Sequence, residues 1–181
     1  MNPFRMCLDC FQGPSFTQTQ SYAHLREEVQ TNGTRICGTG AALGSAPVVQ
    51  NKAYFQVNVQ QTGNWGIGLA NRSADLNKAP LTENAWILNS AGELVSGREI
   101  LGKASEEVSI EEGDSIGVAF DHIELSFYVN GTRLANSITA VRGQVFPVVY
   151  VDNAILDVKF RSFSFDAPPG YEEIMLEQTL L

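Results

Sequence analysis

"GDSIGVAFDHIELSFYVNG", residues 113–131, sets two alternating apolar runs back to back with four residues at the joint and then stops on Asn-Gly. With a period of two, Ile116, Val118 and Phe120 fall on one face of a strand, and Leu125, Phe127 and Val129 do the same in the next. Asp121, His122, Ile123 and Glu124 leave room only for a tight reversal, so the two runs pair as an antiparallel hairpin. Asn130 and Gly131 tolerate positive φ at both centres of a type I′ turn, which sends a third strand back from near Arg133 and Leu134. A meander with one apolar face must lie on another apolar layer, usually a second sheet.

Short β-like runs recur on both sides of this hairpin: "TRIC", "AYFQVNVQ", "NWGIGLA", "AWILN", "ELVS" and "EEVSI" before it, "VFPVVYV" and "AILDVKFRSF" after it. Breakers such as "GTGAALGSAP", "SAGE" and "EEGD" separate them. In "AYFQVNVQ" the inward set is Phe55, Val57 and Val59, with Tyr54, Gln56 and Asn58 on the other face. Helical turns fit only "SADLNKAP" and the C-terminal "YEEIMLEQTLL", and the latter reads equally as a closing strand. Residues 1–33 carry no sustained period and read as an irregular N-terminal tail, with one domain over 34–181.

Hydrophobic residues make up 44% of the 181 and charged ones 18%, the balance of a folded globular domain. Twelve Lys and Arg against 20 Asp and Glu give a net charge of -8, which argues against a nucleic-acid surface. No apolar stretch approaches the ~20 residues needed to span a bilayer, and "MNPFRMCLDCFQG" makes a poor secretory signal. Three cysteines fit no disulfide framework and suit a reducing compartment, so the expected location is cytoplasmic.

"YFQVNVQQTGNWGIGLA" (54–70), "AWILNSAGELVSG" (85–97), "GDSIGVAFDHIELSFYVNG" (113–131) and "FPVVYVDNAILDVKF" (146–160) follow in order the segments typical of a SPRY domain. The resemblance spans nearly everything after residue 34. It implies an all-β sandwich of two curved antiparallel sheets whose rim loops bind a segment of a partner protein, without catalysis and without a cofactor. The turn at Asp121–Glu124 is shorter than the usual SPRY hairpin.

In SPRY proteins that capture short Asn-rich peptides, the pocket uses the residue just after the "G-x-G-x-A" strand, an aromatic in the following segment, and a Val-Trp-Gly-like corner in the last third. The first position matches Asn71, followed by Arg72, and the corner falls at Asp152, Asn153 and Ala154. "ADLNKAPLTENA" holds no aromatic, and a small polar residue stands where the family has its bulky Trp. The resemblance therefore implies partner-binding residues Asn71, Arg72, Asp152 and Asn153, with a peptide specificity of their own.

Cys7-Leu-Asp-Cys10, flanked by Phe4, Met6, Leu8 and Phe11, admits several chemistries. A zinc site would have to gather Cys37 and a histidine from distant segments with no second C-x-x-C, and a thioredoxin-like pair would need a βαβ setting. No metal is expected. S-acylation of both cysteines meets the two-signal requirement for stable peripheral anchoring at a membrane, since one chain alone is marginal. The plain alternative is that they tuck the tail against the domain. "GTGAALG" (38–44) has Leu43 in place of the third glycine of a dinucleotide loop, so it reads as a turn between strands, with Cys37 a buried thiol.

His122 beside Asp121 and Glu124 reads as a turn residue, since no nucleophile elbow accompanies it. Trp65 and Trp86 read as core or rim packing, and Glu106, Glu107, Glu111, Glu112 and Asp114 as a solvated face. The expected function is a non-enzymatic interaction module, with an adaptor role as one form of it. Two further readings stand beside it: a structural subunit of a larger assembly, held by its tail and C-terminal segment, and a sandwich that binds a glycan or small ligand.

Overall fold

The computed structural model describes the backbone of residues 29–32 and, in full, residues 35–77 and 79–175. Cys7 and Cys10 lie outside them. Every regular element among the described residues is a strand: β1 (Val29–Asn32), β2 (Arg35–Leu43), β3 (Lys52–Gln61), β4 (Asn64–Ala70), β5 (Ala85–Asn89), β6 (Glu93–Ser96), β7 (Glu99–Lys103), β8 (Ser115–Asp121), β9 (Glu124–Val129), β10 (Thr132–Arg133), β11 (Phe146–Lys159) and β12 (Glu172–Glu173).

The hairpin expected within residues 113–131 is β8–β9, closed by the pair Asp121–Glu124 around His122 and Ile123. Asn130 and Gly131 both have positive φ, at 49° and 83°, and β10 returns against Val129 and Tyr128. From β10 the ladder runs β10-β9-β8-β3-β11-β4-β5-β6-β7 and curls over itself. Phe55, Val57 and Val59 face the interior with Trp65, Ile116, Val118, Leu125, Phe127 and Leu156, as the alternation required.

β11 joins the two halves of the sandwich. One of its edges pairs with β2 along most of its length, while the other pairs with β4 over Phe146–Asp152 and then with β3 over Ile155–Lys159. A long strand can serve two sheets only by bending, and the bend is a β-bulge between Asp152 and Ala154 with Asn153 at φ 57°.

A second apolar cluster lies on the other face of β2, β11, β4 and β5. Ala41, Leu43, Ala70, Ile87, Phe146, Val148 and Tyr150 are covered there by Ala74, Leu76 and Leu81. The segment "SADLNKAP" forms turns, with a cis Ala79–Pro80 bond, instead of a helix. Its apolar side chains are spaced to cap a sheet, not to line one helical face.

Three further differences from expectation lie in β7, β1 and β2. "EEVSI" (106–110) is irregular, and the strand in that region is β7, whose five residues are all exposed and so show no alternation. β1 pairs with β2 ahead of residue 34, so the sheet reaches into the stretch expected to be irregular. Cys37, 3% exposed on β2, is disulfide-bonded and not a buried thiol.

The C-terminal part of the chain closes the fold. β12 pairs in parallel with Ala53 and Tyr54, taking the stretch of β3 that β11 leaves free, so Glu172 and Glu173 follow the closing-strand reading, while residues 176–181 lie outside those described. Gln50 fixes it: its amide Nε2 donates to the Glu173 carbonyl at 2.8 Å and its Oε1 accepts from the Met175 N–H at 2.9 Å.

Candidate functional site

Asn71 sits directly after β4, where the strand gives way to the segment that caps the second apolar cluster. Its backbone N–H donates to the Asn84 carbonyl at 2.8 Å, and its own carbonyl accepts from Ala74 N–H at 3.1 Å. The side-chain Nδ2 donates to the carbonyls of Gln144 at 2.9 Å and Arg142 at 3.2 Å. One amide thus ties the end of β4 to the loop leading into β11. A carboxamide nitrogen carries two N–H donors and so can supply both bonds from one point.

Arg72, exposed beside it, lays its guanidinium over the Phe146 ring at 5.1 Å from the centroid. Arg142 and Gln144 are exposed across the same junction. Further along the rim, Arg98 donates to Glu83 at 2.8 Å, with both side chains largely in solvent. At this end of the ladder Arg72 and Arg142 put positive charge on a chain whose overall charge is negative, while Arg98 is balanced by Glu83.

Asp152 and Asn153 lie elsewhere. In the β4–β11 ladder Ala70 faces Phe146 and Asn64 faces Asp152, so the pair is six residues farther along the strand, about 20 Å from Asn71. Asp152 Oδ1 accepts from Thr39 Oγ1 at 3.3 Å. Asn153 is exposed and holds the sheet corner in a left-handed conformation, where Asn is among the residues that pay least. Gly63 packs against its carbonyl so closely that a Cβ there would collide with it. The structure therefore brings Asn71 together with Arg72, and Asp152 with Asn153, but places the two pairs at opposite ends of one ladder.

Arg142 and Gln144 complete the Asn71 rim, and no local pattern in the sequence singles them out; the signal is their position just before the strand that pairs with β4. His122, by contrast, is exposed in its turn with Nε2 4.0 Å from Asp121. Trp65 is fully buried and Trp86 is packed half-buried against the core. Glu106, Glu107, Glu111 and Glu112 are exposed. Among the described residues no three or more His, Cys, Asp or Glu side chains are grouped to hold a metal ion, and no helix is long and apolar enough to cross a membrane.

A curled antiparallel sandwich whose longest strand serves both sheets, with polar loops at the two ends of the ladder, is the architecture of SPRY domains. The family model for the SPRY domain matches residues 52–163, and the chain belongs to the SPRY domain family. Among named relatives it is similar to SPRY domain-containing protein 7 of Homo sapiens and of Mus musculus, 43% identical over 152 residues, covering 82% of this chain and 78% of each relative. Solved structures share the fold. The SPRY domain of human HERC1 superposes with a TM-score of 0.62 at 16% identity, over 76% of this chain and 97% of that one. A second human SPRY domain gives 0.61 at 17% identity, over 76% and 98%. SPRY domains are in general protein–protein interaction modules.

Proposed function

We propose that this chain is a non-enzymatic interaction module that grips a segment of a partner protein at the rim formed by Asn71, Arg72, Arg142 and Gln144. The observation that carries the reading is the Asn71 amide, which fixes two carbonyls of the 142–144 loop and so ties the loop carrying Arg142 to the end of β4, next to Arg72, before any partner arrives. A preformed rim loses little conformational entropy on binding, and positive charge at the exposed Arg72 and Arg142 favours a segment bearing carboxylates. The Asp152–Asn153 corner is the second reading, favoured by the exposure of Asn153 at a bulge, a feature that re-aims side chains at sheet rims.

Proximity labelling with the intact chain separates the two. Arg72→Glu with Arg142→Glu is expected to erase a discrete set of neighbours, while Asn153→Gly, which keeps the left-handed backbone but removes the side chain, leaves that set intact. Neighbours that survive the double charge reversal, with the circular dichroism spectrum unchanged, overturn the Asn71 rim. Their loss on Asn153→Gly alone moves the site to the corner.

A further inference from the structure

β7 ends the sheet. Its inner side pairs with β6, and among the described residues no strand pairs with its outer side. An open strand edge offers unpaired N–H and C=O groups, and folded chains normally blunt such edges with charge, brevity or a covering loop. Here Asn136 covers one end, its Nδ2 donating to the Lys103 carbonyl at 2.8 Å. The residues before it are open. Ile100 and Leu101 are 60% and 47% exposed, the former close to the highest exposure of any large apolar side chain among the described residues. A Cβ built on Gly102 would meet nothing within 4 Å.

The sequence of this strand, Glu99-Ile100-Leu101-Gly102-Lys103, is complementary to its own reverse. Laid antiparallel against a second copy and centred on Leu101, Glu99 faces Lys103 of the copy and Lys103 faces the copy's Glu99. Ile100 then faces Gly102, where the missing side chain leaves room, and the two Leu101 side chains meet on the two-fold axis. Opposite charges across a strand pair stabilise a register, whereas any parallel or shifted arrangement loses one or both ion pairs. An isologous contact of this kind closes on itself as a dimer and does not propagate into a fibre.

We infer that β7 is a self-pairing edge through which two copies of this chain associate, in register, across a two-fold axis at Leu101. The contact is a few residues long and falls short of the ~1,200 Å² typical of stable complexes, so the dimer is weak and concentration-dependent. The β-bulge at Leu101, where Leu94 pairs with Gly102 and Val95 with Ile100, shortens the regular ladder further and acts in the same direction.

Sedimentation velocity over a wide range of concentration tests this with the full chain. The wild type is expected to shift from monomer toward dimer as concentration rises. Glu99→Lys alone and Lys103→Glu alone should each remain monomeric, because like charges then face each other at both ends. An equimolar mixture of the two single variants should dimerise again, since each lysine meets a glutamate of the other chain, and so should the Glu99→Lys/Lys103→Glu double variant. Leu101→Arg, which puts two guanidiniums on the axis, should abolish association. All these positions are exposed, so folding is preserved. A wild type that stays monomeric throughout, or single charge variants that dimerise like the wild type, overturns the inference.

Discussion

Gln56, 1% exposed in the middle of β3, accepts the backbone N–H of Ser164 on its Oε1 at 2.8 Å, across a sequence separation of 108 residues. From the same amide, Nε2 donates to Tyr54 Oη at 2.8 Å and to the Phe165 carbonyl. Phe163 stacks edge-on against Tyr54 with centroids 4.9 Å apart. The outer face of β3 is thereby buried under the segment that follows β11. Substituting Gln56 with Leu keeps the volume but leaves the part-buried Ser164 N–H and Phe165 carbonyl without their Gln56 partner. We expect a loss of about 2–3 kcal/mol in urea unfolding, against under ~0.5 kcal/mol for Lys159→Ala at the exposed margin of the same face.

Gly68 provides the sharpest steric prediction. A Cβ there would run into the backbone carbonyl of Trp86 on β5, and backbone cannot swing aside as a side chain can. Gly68→Ala should therefore cost more than ~3 kcal/mol, or leave the chain insoluble, whereas Ala70→Gly on the same strand should cost about 1 kcal/mol. Thermal unfolding of the soluble fraction distinguishes the two.

The two faces of β3 show what local pattern carries and what it leaves out. Phe55, Val57 and Val59 are buried as their alternation required, and Asn130-Gly131 turned the chain as its φ tolerance required. Tyr54 and Gln56 lie on the other face, and their cover, Phe163 to Phe165, comes from more than a hundred residues away, beyond the reach of local pattern. The candidate site failed to converge for a related reason. Asn71 and Asp152 resemble pocket positions one at a time, but only the β4–β11 register reveals that they occupy opposite ends of a ladder. β7 was invisible because a strand exposed on every side has no period to detect.

Asn71 should respond to substitution in an order set by donor count. Asn71→Ala removes two N–H bonds to the carbonyls of Arg142 and Gln144 and should cost about 1–2 kcal/mol. Asn71→Asp is nearly isosteric but sets an acceptor-only carboxylate against those same two oxygens, and should cost more than Ala does. Amide hydrogen exchange should quicken in residues 142–145 in both variants while the β8–β9 hairpin keeps its protection. Equal effects of Ala and Asp would mean that the amide does not hold the loop.

Tyr150 contributes to the alkaline limb of stability. Burial between Gly66 and the second apolar cluster, with a smaller contribution from Glu93, pushes its phenol up from 10.0 to about 12. Unfolded, it ionises near 10, so between these values the unfolded chain gives up a proton that the folded chain keeps. Its contribution is therefore complete below pH 10 and is lost as pH rises toward 12, at up to about 1.4 kcal/mol per pH unit. Tyr54 is raised in the same direction, chiefly by burial, and adds to the slope. Tyr150→Phe should flatten the alkaline limb of the stability profile without changing it near neutrality, and phenolate absorbance should lose its latest-titrating component.

The closing strand makes truncation a test of the fold as well as of any partner. Ending the chain at Tyr171 removes β12, the backbone groups that Gln50 engages, and Ile174, which packs against the main core. The free stretch of β3 at Ala53 and Tyr54 then loses its ladder partner and the Gln50 amide faces water. We expect a stability loss of about 2–4 kcal/mol from the unmade hydrogen bonds and the lost apolar contact together. A structural-subunit role predicts that partners vanish with this truncation, but so does simple unfolding. Gln50→Ala separates them: it loosens the strand at about 1–2 kcal/mol while leaving every C-terminal side chain in place. Partners retained by Gln50→Ala and lost on truncation would mark the C-terminal residues themselves as contacts.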